Sequence, residues 1–373
     1  MTQPRLAPAP LNLMGSFTLC AVHHRLPLAG YNQSRIGRLL LRGVVACIFA
    51  VALVACTPVA QPLPQVALPT ATPAPPITFP RDALPHDALT EWWYFTGHLT
   101  ASGGQRYGFE FVIFQVTRAN QPAGYLAHFA VSDISGQQFS HEARFAQLPT
   151  AATAFPLNVG GWRLDHTDAQ DSIDAAMAAE ELHLTLRDEK PPALHHGGYI
   201  TYPPEGGSYY YSRTRLSASG TLNGEPVDGI AWMDHQWGNF VIAARGGWDW
   251  YSLQLDDNTE LMLYLVRNQD GTVSATYGSY VAADGHVDDL PAGAVLSEPT
   301  DKWTSPHTGA EYPSGWLLTL PDGRRLVLTP ELQDQELYFA GAPTALLAYW
   351  EGAVRVSGDT TGVGYVELTG YAP

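Results

Sequence analysis

The sequence predicts an all-β protein, and two observations lead to this prediction. First, several segments alternate apolar and polar residues with the period of two that is typical of a strand with one buried face. These segments are residues 107–115, 182–186, 261–266 and 316–320. Second, short turn sequences separate such segments, as at Asn223-Gly224 and Asp270-Gly271. Short alternating strands at this spacing indicate a β-sandwich or a β-barrel.

A weak internal repeat predicts two β-domains. A strand that opens with Trp-Tyr starts a hairpin at Trp93-Tyr94 and again at Trp250-Tyr251. Repetition on this scale is typical of two similar domains. We therefore expect an N-terminal domain at residues 80–243 and a C-terminal domain at residues 244–373. Within them, only the alanine-rich segment 168–181 has a composition that allows a short helix, and a loop is the alternative.

The N-terminal segment has the pattern of an export signal. Residues 1–56 contain five arginines and no acidic residue, and an apolar run at residues 43–55 ends at Cys56. The run is shorter than the ~20 residues that a membrane-spanning helix needs, which is typical of a secretory signal. Its last residues, Leu-Val-Ala-Cys, resemble the lipobox of bacterial lipoproteins. We expect a signal peptide, lipidation of Cys56 and an exported bacterial lipoprotein anchored on the outer side of the cell membrane.

Alternatives for this segment are an uncleaved anchor, a plain secretion signal, or a true translation start at Met14 or later. Residues 57–79 are rich in proline and lack charge before the body begins. We expect them to form an extended linker that holds the body away from the membrane.

The body of the chain is strongly acidic. Residues 80–373 contain all 36 acidic residues and 15 of the 20 basic ones, a formal charge of about −21. No basic face remains to bind nucleic-acid phosphates or anionic lipid headgroups. We therefore expect no nucleic-acid partner, and membrane attachment through the N-terminal lipid anchor only. Without the leader, Cys56 is the one remaining cysteine, which excludes an intramolecular disulfide and a cysteine-ligated zinc site.

Tryptophans and tyrosines cluster beside carboxyl groups. The clusters are Glu91-Trp-Trp-Tyr94, Tyr209-Tyr-Tyr-Ser-Arg213, Trp232-Met-Asp-His-Gln-Trp237, Gly247-Trp-Asp-Trp-Tyr251 and Tyr349-Trp-Glu351. In an extended strand, Asp234 would share a face with Trp232, and His235 would share the other face with Trp237. Burial beside indole rings raises the pKa of a carboxyl group, so that it can donate a proton near neutral pH. The ring faces can then stabilise a cation.

The alternative is structural. The rings would fill two barrel interiors, and the acids would cap turns or pair with Arg213, Arg215 and Arg245. Other patterns are weaker: His195-His196 lacks a further ligand at the usual spacing, so we predict no metal site. Ser212 and Ser252 lie outside a Gly-x-Ser-x-Gly motif, and the sequence has no P-loop or dinucleotide-binding motif.

Eight segments, in order over residues 80–373, match the motifs of one known family. They are Glu91-Trp-Trp-Tyr-Phe-Thr-Gly97, Tyr125-Leu-Ala-His-Phe-Ala130, Lys190-Pro-Pro192, Tyr209-Tyr-Tyr-Ser-Arg213, Trp232-Met-Asp-His-Gln-Trp-Gly238, Gly247-Trp-Asp-Trp-Tyr251, Tyr349-Trp-Glu-Gly352 and Gly364-Tyr-Val-Glu-Leu-Thr-Gly-Tyr371. They resemble the carotenoid 1,2-hydratase and AttH-like family. The resemblance implies two tandem lipocalin-like antiparallel β-barrels packed together, a cavity for a hydrophobic terpenoid or lipid, and no cofactor.

For a hydratase, the resemblance implies that a buried acid protonates an alkene and that water captures the cation. The candidate catalytic residues are Asp234, His235, Trp237, Asp249 and Tyr251. Asp234 or Asp249 would be the acid, and His235 would orient the water. The candidate substrate-binding residues are Glu91, Trp92, Trp93, Tyr210, Arg213, Trp232, Trp248 and Trp250.

Two other functions stay open. The enzyme could hydrolyse an ester instead, or the protein could be a lipocalin-like carrier of a lipid or terpenoid without catalysis. Carboxyl groups inside the cavity would favour an enzyme, because burying an unpaired acid is costly. Arginine-paired or exposed Asp234 and Asp249 would favour the carrier. Carotenoids are dissolved in membranes inside the cell. If this protein is exported, an external lipid or terpenoid is a more suitable substrate than a carotenoid.

Overall fold

The structure is a computed structural model, and it describes residues 74–202, 206–240, 246–339 and 348–372. The expected signal peptide, Cys56 and most of the linker lie outside these ranges. Within the ranges, no helix is long and apolar enough to cross a membrane. One turn of 3-10 helix, Arg81–Ala83, precedes the first strand, and the other regular elements of these residues are strands.

Eleven strands form the first antiparallel sheet. They are β1 (Thr90–Ala101), β2 (Arg106–Val116), β3 (Ala123–Asp133), β4 (Gln138–Leu148), β5 (Leu157–Val159), β6 (Trp162–Thr167), β7 (Gln170–Ala176), β8 (Glu181–Asp188), β9 (Ala193–Tyr202), β10 (Gly206–Leu222) and β11 (Glu225–Phe240). The strand order is β4-β3-β2-β1-β11-β10-β8-β7-β6-β5, and β9 also pairs with β10. The first and last strands in sequence, β1 and β11, therefore lie side by side.

Ten strands form the second antiparallel sheet. They are β12 (Gly247–Leu255), β13 (Glu260–Arg267), β14 (Val273–Val281), β15 (Val287–Asp289), β16 (Leu296–Thr304), β17 (Glu311–Thr319), β18 (Arg325–Pro330), β19 (Glu336–Leu337), β20 (Tyr349–Gly358) and β21 (Gly362–Thr369). The order is β15-β14-β13-β12-β21-β20-β18-β17-β16, and β19 pairs with β20. The first and last strands again lie side by side, as in the first sheet.

Hairpin turns and one arginine shape the first sheet. Asn223 (φ 54°) and Gly224 (φ 79°) join β10 to β11, and positive φ at both positions is typical of the type I′ turn that Asn-Gly favours. At the open edge, Arg144 of β4 donates one hydrogen bond to the carbonyl of Gly160, 2.7 Å away, beside β5. Its guanidinium also lies 4.4 Å over the ring of Trp162 in β6. These contacts hold the two edges of the sheet around its core.

Alternation along the strands divides most of the buried apolar side chains of the described residues among three large cores, beside one small cluster around Leu337. The interior of the first sheet contains Trp93 among many apolar residues, and the interior of the second contains Trp316. A third core lies between the sheets, where Tyr94 and Trp232 of the first sheet meet Trp250 of the second. The two sheets therefore pack through faces that lie outside their own interiors.

Polar contacts also join the two sheets. The Nζ atom of Lys190, just before β9, lies 2.8 Å from Glu260 Oε2 at the start of β13. Arg215 of β10 places its Nε 2.6 Å from the other oxygen of the same carboxylate. The side-chain amide of Gln254 in β12 donates to the carbonyl of Thr214 at 2.8 Å. The side chains of Lys190, Arg215 and Glu260 in these contacts are largely buried.

The all-β prediction of two packed, barrel-like antiparallel sheets is confirmed. The helix considered for residues 168–181 is wrong, because this segment contains β7. Ile173 and Ala175 of β7 point into the first core, and this alternating burial outweighs the helix propensity of the alanines. The two sheets span residues 90–240 and 247–369 and belong to one compact unit. The exact domain bounds stay a prediction.

Candidate functional site

A pocket opens where the two sheets meet. Its cavity volume is about 60 Å³, and the empty space around it, open solvent at the mouth included, is about 490 Å³. Its lining is mostly aromatic and includes two carboxyl groups. The lining residues are Trp92, Tyr94, Phe114, Tyr210, Asp234 and Gln236 from the first sheet and Trp248, Trp250, Tyr264 and Glu367 from the second. The pocket is therefore a product of the packing of the two sheets.

Asp234 of β11 is buried in the pocket wall, and three neutral groups donate hydrogen bonds to it. The Tyr210 hydroxyl donates to Oδ2 and the Trp232 indole to Oδ1, each at 2.6 Å, and the Ser212 hydroxyl donates to Oδ1. Burial raises the pKa of Asp234 to about 6, because the lost hydration outweighs the three donors, which favour the ionised form. Trp250 of the second sheet donates to the Tyr210 hydroxyl at 3.0 Å, which fixes that hydroxyl as a donor to Asp234.

Glu367 of β21 brings a second carboxyl group to the same pocket. The Trp248 indole donates a hydrogen bond to its Oε2 at 2.8 Å. Burial raises the pKa of Glu367 to about 7; the Trp248 hydrogen bond opposes this shift, and the charge of Asp234 adds to it. A large fraction of Glu367 therefore carries a proton at neutral pH and can donate it to a molecule in the pocket.

Two further carboxyl groups are buried between the sheets. Glu351 of β20 is the direct cross-strand partner of Glu367, and the Tyr94 hydroxyl donates to its Oε1 at 2.7 Å. Glu110 of β2 accepts a hydrogen bond from Tyr349 at 3.3 Å. Burial, followed by the charge of Glu367, raises the pKa of Glu110 and Glu351 well above the usual range. Among the residues that the structure describes, no lysine or arginine pairs with these four carboxyls.

Some of the residues that the sequence singled out meet at this pocket. Those that line it are Trp92, Tyr210, Asp234, Trp248 and Trp250, and Trp232 contacts Asp234 through the hydrogen bond described above. They come from β1, β10, β11 and β12, which neighbour one another within or across the sheets. The pocket thus gathers one predicted catalytic residue and five predicted substrate-binding residues.

Five other predicted residues point into the interior of the first sheet. His235 places Nε2 2.8 Å from Glu91 Oε1, and the rings of Trp93 and Trp237 pack against its imidazole, with centroids 5.1 and 4.6 Å away. Arg213 forms an ion pair with the buried Asp171 in the same interior. Because successive residues of a strand face opposite sides, His235 cannot reach the pocket that Asp234 lines.

Asp249 and Tyr251 point into the interior of the second sheet. Arg267 places Nε 2.9 Å from Asp249 Oδ1, and Tyr371 donates its hydroxyl to the same oxygen at 3.0 Å. Tyr251 contacts Ser297 through their hydroxyls at 3.1 Å. Burial raises the pKa of Asp249, but the charge of Arg267 opposes that shift. The structure therefore separates the five predicted catalytic residues into three places, and only Asp234 lines the pocket.

The sequence alone does not single out Glu367, although this residue lies within one of the family motifs. In the stretch Tyr365-Val-Glu367-Leu, the acid stands two residues after a tyrosine and between two apolar residues. This pattern fits a strand with a polar outer face, so the acid is easily taken for a solvent-exposed residue. Its aromatic neighbour at the same face is the signal that could have placed it in a pocket.

Comparisons with known proteins relate the whole body to one family. A family model described as AttH-like matches residues 70–371. The crystal structure of a protein designated AttH from Nitrosomonas europaea is 30% identical, covers 82% of this chain and 100% of its own, and has a TM-score of 0.74. Kievitone hydratase from Nectria haematococca is 16% identical, covers 79% of this chain and 93% of its own, and has a TM-score of 0.64, a similarity of fold. A search of curated proteins finds no match.

Proposed function

The chain belongs to the AttH-like family, and from this premise we propose that it is an enzyme that adds water to a carbon–carbon double bond of a hydrophobic terpenoid or lipid. The observation that supports this most is Glu367, whose carboxyl group retains a proton near pH 7 inside an aromatic pocket. A general acid works best when its pKa lies near the working pH. A hydratase is also among the proteins with this fold.

The reaction starts with proton transfer from Glu367. Its carboxyl O–H bond breaks, the proton binds one alkene carbon, and the π-electrons of the alkene form the new C–H bond. The other carbon becomes a carbocation, which the faces of Trp92, Trp248 and Trp250 stabilise through their π-electrons. These groups act more strongly on the cation than on the neutral substrate, which is the condition for catalysis.

Water then completes the reaction. A water molecule forms a C–O bond with the cation, and its proton passes to the carboxylate of Asp234, giving an alcohol. Asp234 suits this task because Tyr210, Ser212 and Trp232 hold its oxygens in place. Exchange with solvent returns a proton to Glu367 and removes one from Asp234, so the enzyme is restored.

Two alternatives were left open by the sequence, and the contacts of the acids bear on them. Asp249 is paired with Arg267, and this pairing is the arrangement expected for a carrier protein. Asp234 and Glu367 instead lie in the pocket, where no lysine or arginine of the described residues pairs with them. Burying an unpaired acid lowers the stability of the fold, and a catalytic role would explain this cost. We therefore favour the enzyme, and we keep the expectation that an anchor at Cys56 places it beside membrane lipids.

Mass spectrometry of a lipid extract tests this proposal. The full-length chain is incubated with membrane lipids of the source organism, in parallel with Glu367→Gln and with Glu110→Gln, a buried control that does not line the pocket. We expect a product heavier by one water from the wild type and from the control, and none from Glu367→Gln. Full activity of Glu367→Gln contradicts the proposal. Two fragments would indicate hydrolysis, and an unchanged lipid that co-purifies with the chain would indicate a carrier.

A further inference from the structure

A second group of polar residues lies on the opposite face of the first sheet from the pocket. His86, Glu91 and His235 each offer one ligand atom, and these atoms all lie within 4.8 Å of one another. Glu91 Oε1 is 2.7 Å from His86 Nδ1 and 2.8 Å from His235 Nε2. His86 belongs to the segment before β1, Glu91 to β1 and His235 to β11, so three parts of the chain converge on one carboxylate oxygen.

From this arrangement we propose that His86, Glu91 and His235 form a binding site for a divalent transition-metal ion, with Zn²⁺ as the expected occupant. Two imidazoles and one carboxylate are a ligand set that zinc and its first-row neighbours bind readily. With bonds of about 2.0–2.1 Å, tetrahedral ligand atoms lie roughly 3.3–3.4 Å apart, so the two histidine nitrogens, at 2.7 and 2.8 Å from Glu91 Oε1, would move outward by about half an ångström to hold the ion. The sequence did not predict this site because its third ligand is far from the first two along the chain.

The groups around the three ligands are arranged as in a metal site. Glu91 Oε2 accepts hydrogen bonds from the backbone N–H of His86 at 2.8 Å and from the side-chain amide of Gln115 at 3.2 Å, which leaves Oε1 for the metal. His235 Nδ1 lies 3.2 Å from the Tyr211 hydroxyl. Such contacts orient metal ligands and select the imidazole nitrogen that binds the metal.

The surroundings of His86 are compatible with a metal at Nδ1. Its Nε2 is buried without a hydrogen-bond partner and faces Asp82 Oδ1 at 3.6 Å. If a neutral His86 donated Nδ1–H to Glu91, the lone pair of Nε2 would face the Asp82 carboxylate, which is unfavourable. If a metal occupies Nδ1, Nε2 carries the proton and points it at Asp82, as in carboxylate–histidine–metal contacts. An imidazolium that donates to both Glu91 and Asp82 would satisfy the same contacts, and the metal titration below separates the two.

The surroundings suit a tightly held ion. The indole of Trp237 stacks on His86, with ring centroids 4.1 Å apart and planes 3° apart, and Trp93 covers His235. Glu91 and His235 are fully buried, whereas the side chain of His86 is 21% exposed, which gives the ion a route from solvent. The bound ion would tie the segment before β1 to the sheet, and it would stabilise the folded chain without taking part at the pocket.

Metal titrations test the site without reference to activity. The full-length chain is stripped with a chelator and titrated with Co²⁺, followed by visible absorption, and with Zn²⁺, followed by calorimetry. We expect one equivalent to bind and Tm to rise on adding Zn²⁺. His86→Ala should weaken binding by more than about 100-fold, since it removes a direct ligand and changes to supporting residues alone cost 10–100-fold.

Two further variants make the result unambiguous. Glu91→Gln should also lose metal binding. Glu110→Gln, which changes a buried carboxyl group on the neighbouring strand β2, should bind the metal as the wild type does. Because His86 is partly exposed and precedes the sheet, His86→Ala tests the site even if Glu91→Gln fails to fold. The proposal is overturned if the stripped wild type shows no Co²⁺ absorption and no heat with Zn²⁺, or if His86→Ala binds Zn²⁺ as tightly as the wild type.

Discussion

Glu367 and Asp249 are both acids of the second sheet, and their partners give them different chemistry. Asp249 faces the guanidinium of Arg267, whose charge opposes the rise in pKa that burial causes. Glu367 receives one hydrogen bond from the neutral indole of Trp248 and lies near other acids. An ion pair favours the charged form of an acid, whereas burial with like charges favours the neutral form. Glu367 therefore suits the role of the proposed proton donor better than Asp249 does.

The pH dependence of turnover should follow this carboxyl group. Burial raises the pKa of Glu367 to about 7, so the acid form is present below that pH and is lost above it. We expect kcat to fall about tenfold per pH unit once the pH exceeds ~7. Steady-state rates on the product-forming lipid, measured between pH 6 and 9 with Tm recorded at each pH, check this. A rate that rises with pH through 7 would contradict the assignment.

At the scale of strands, β20 and β21 place two acids in direct opposition. Glu351 and Glu367 are cross-strand partners, and like charges at such positions destabilise a sheet. Burial and the charge of Glu367 raise the pKa of Glu351 well above its usual range, which lessens this repulsion, and the Tyr94 hydrogen bond holds the carboxyl group in place. The strand pair is therefore most stable when at least one of the two acids carries a proton.

Glu351→Gln should change how stability depends on pH. The pKa of Glu351 is raised on folding, so the folded state binds more protons than the unfolded state above about pH 4.3. Wild-type stability from this group is present at low pH and falls as the pH rises. We expect the free energy of unfolding of the variant, relative to that of the wild type, to increase by about 1–3 kcal/mol from pH 5 to pH 8. Urea denaturation at both pH values measures this; exposed Glu298→Gln should show no such gain, and an equal gain there would refute the explanation.

The strands also show which features of the fold the sequence predicts and which it does not. Alternation predicted that Asp234 shares a face with Trp232, and turn residues such as Asn223-Gly224 predicted hairpins, because both signals are local. The pairing of β1 with β11 is not local, and it alone brings His235 beside Glu91. Alternation also does not show whether an outer face meets solvent or a second sheet, so the pattern around Glu367 does not place it in a pocket.

At the scale of the whole molecule, the pocket depends on how the two sheets pack. Its walls come from both sheets, and no part of either sheet alone would enclose Asp234 and Glu367 together. The buried contacts of Glu260 with Lys190 and Arg215 hold the same junction. Sequence motifs predicted two barrel-like sheets and an apolar cavity, but the place where the cavity forms follows from this packing.

Removing the charge of Glu260 should loosen the junction. Glu260→Gln leaves Lys190 and Arg215 buried without their counter-charge, and breaking a buried pair in this way costs about 3–5 kcal/mol. Chemical denaturation of the full-length chain measures the loss. Glu311→Gln, which removes the exposed partner of Lys302, should cost less than about 1 kcal/mol. Equal effects of the two variants would contradict the role of Glu260 in holding the sheets together.

In the proposed mechanism, a carboxylic acid between the sheets protonates a substrate double bond. The most direct measurement is the reaction of the lipid extract in D₂O, followed by return to H₂O and mass spectrometry of the product. The mechanism predicts one deuterium bound to carbon, which does not exchange back, together with the added water, and no such product from Glu367→Gln. A product without carbon-bound deuterium would contradict protonation of the double bond and with it the proposed role of the pocket.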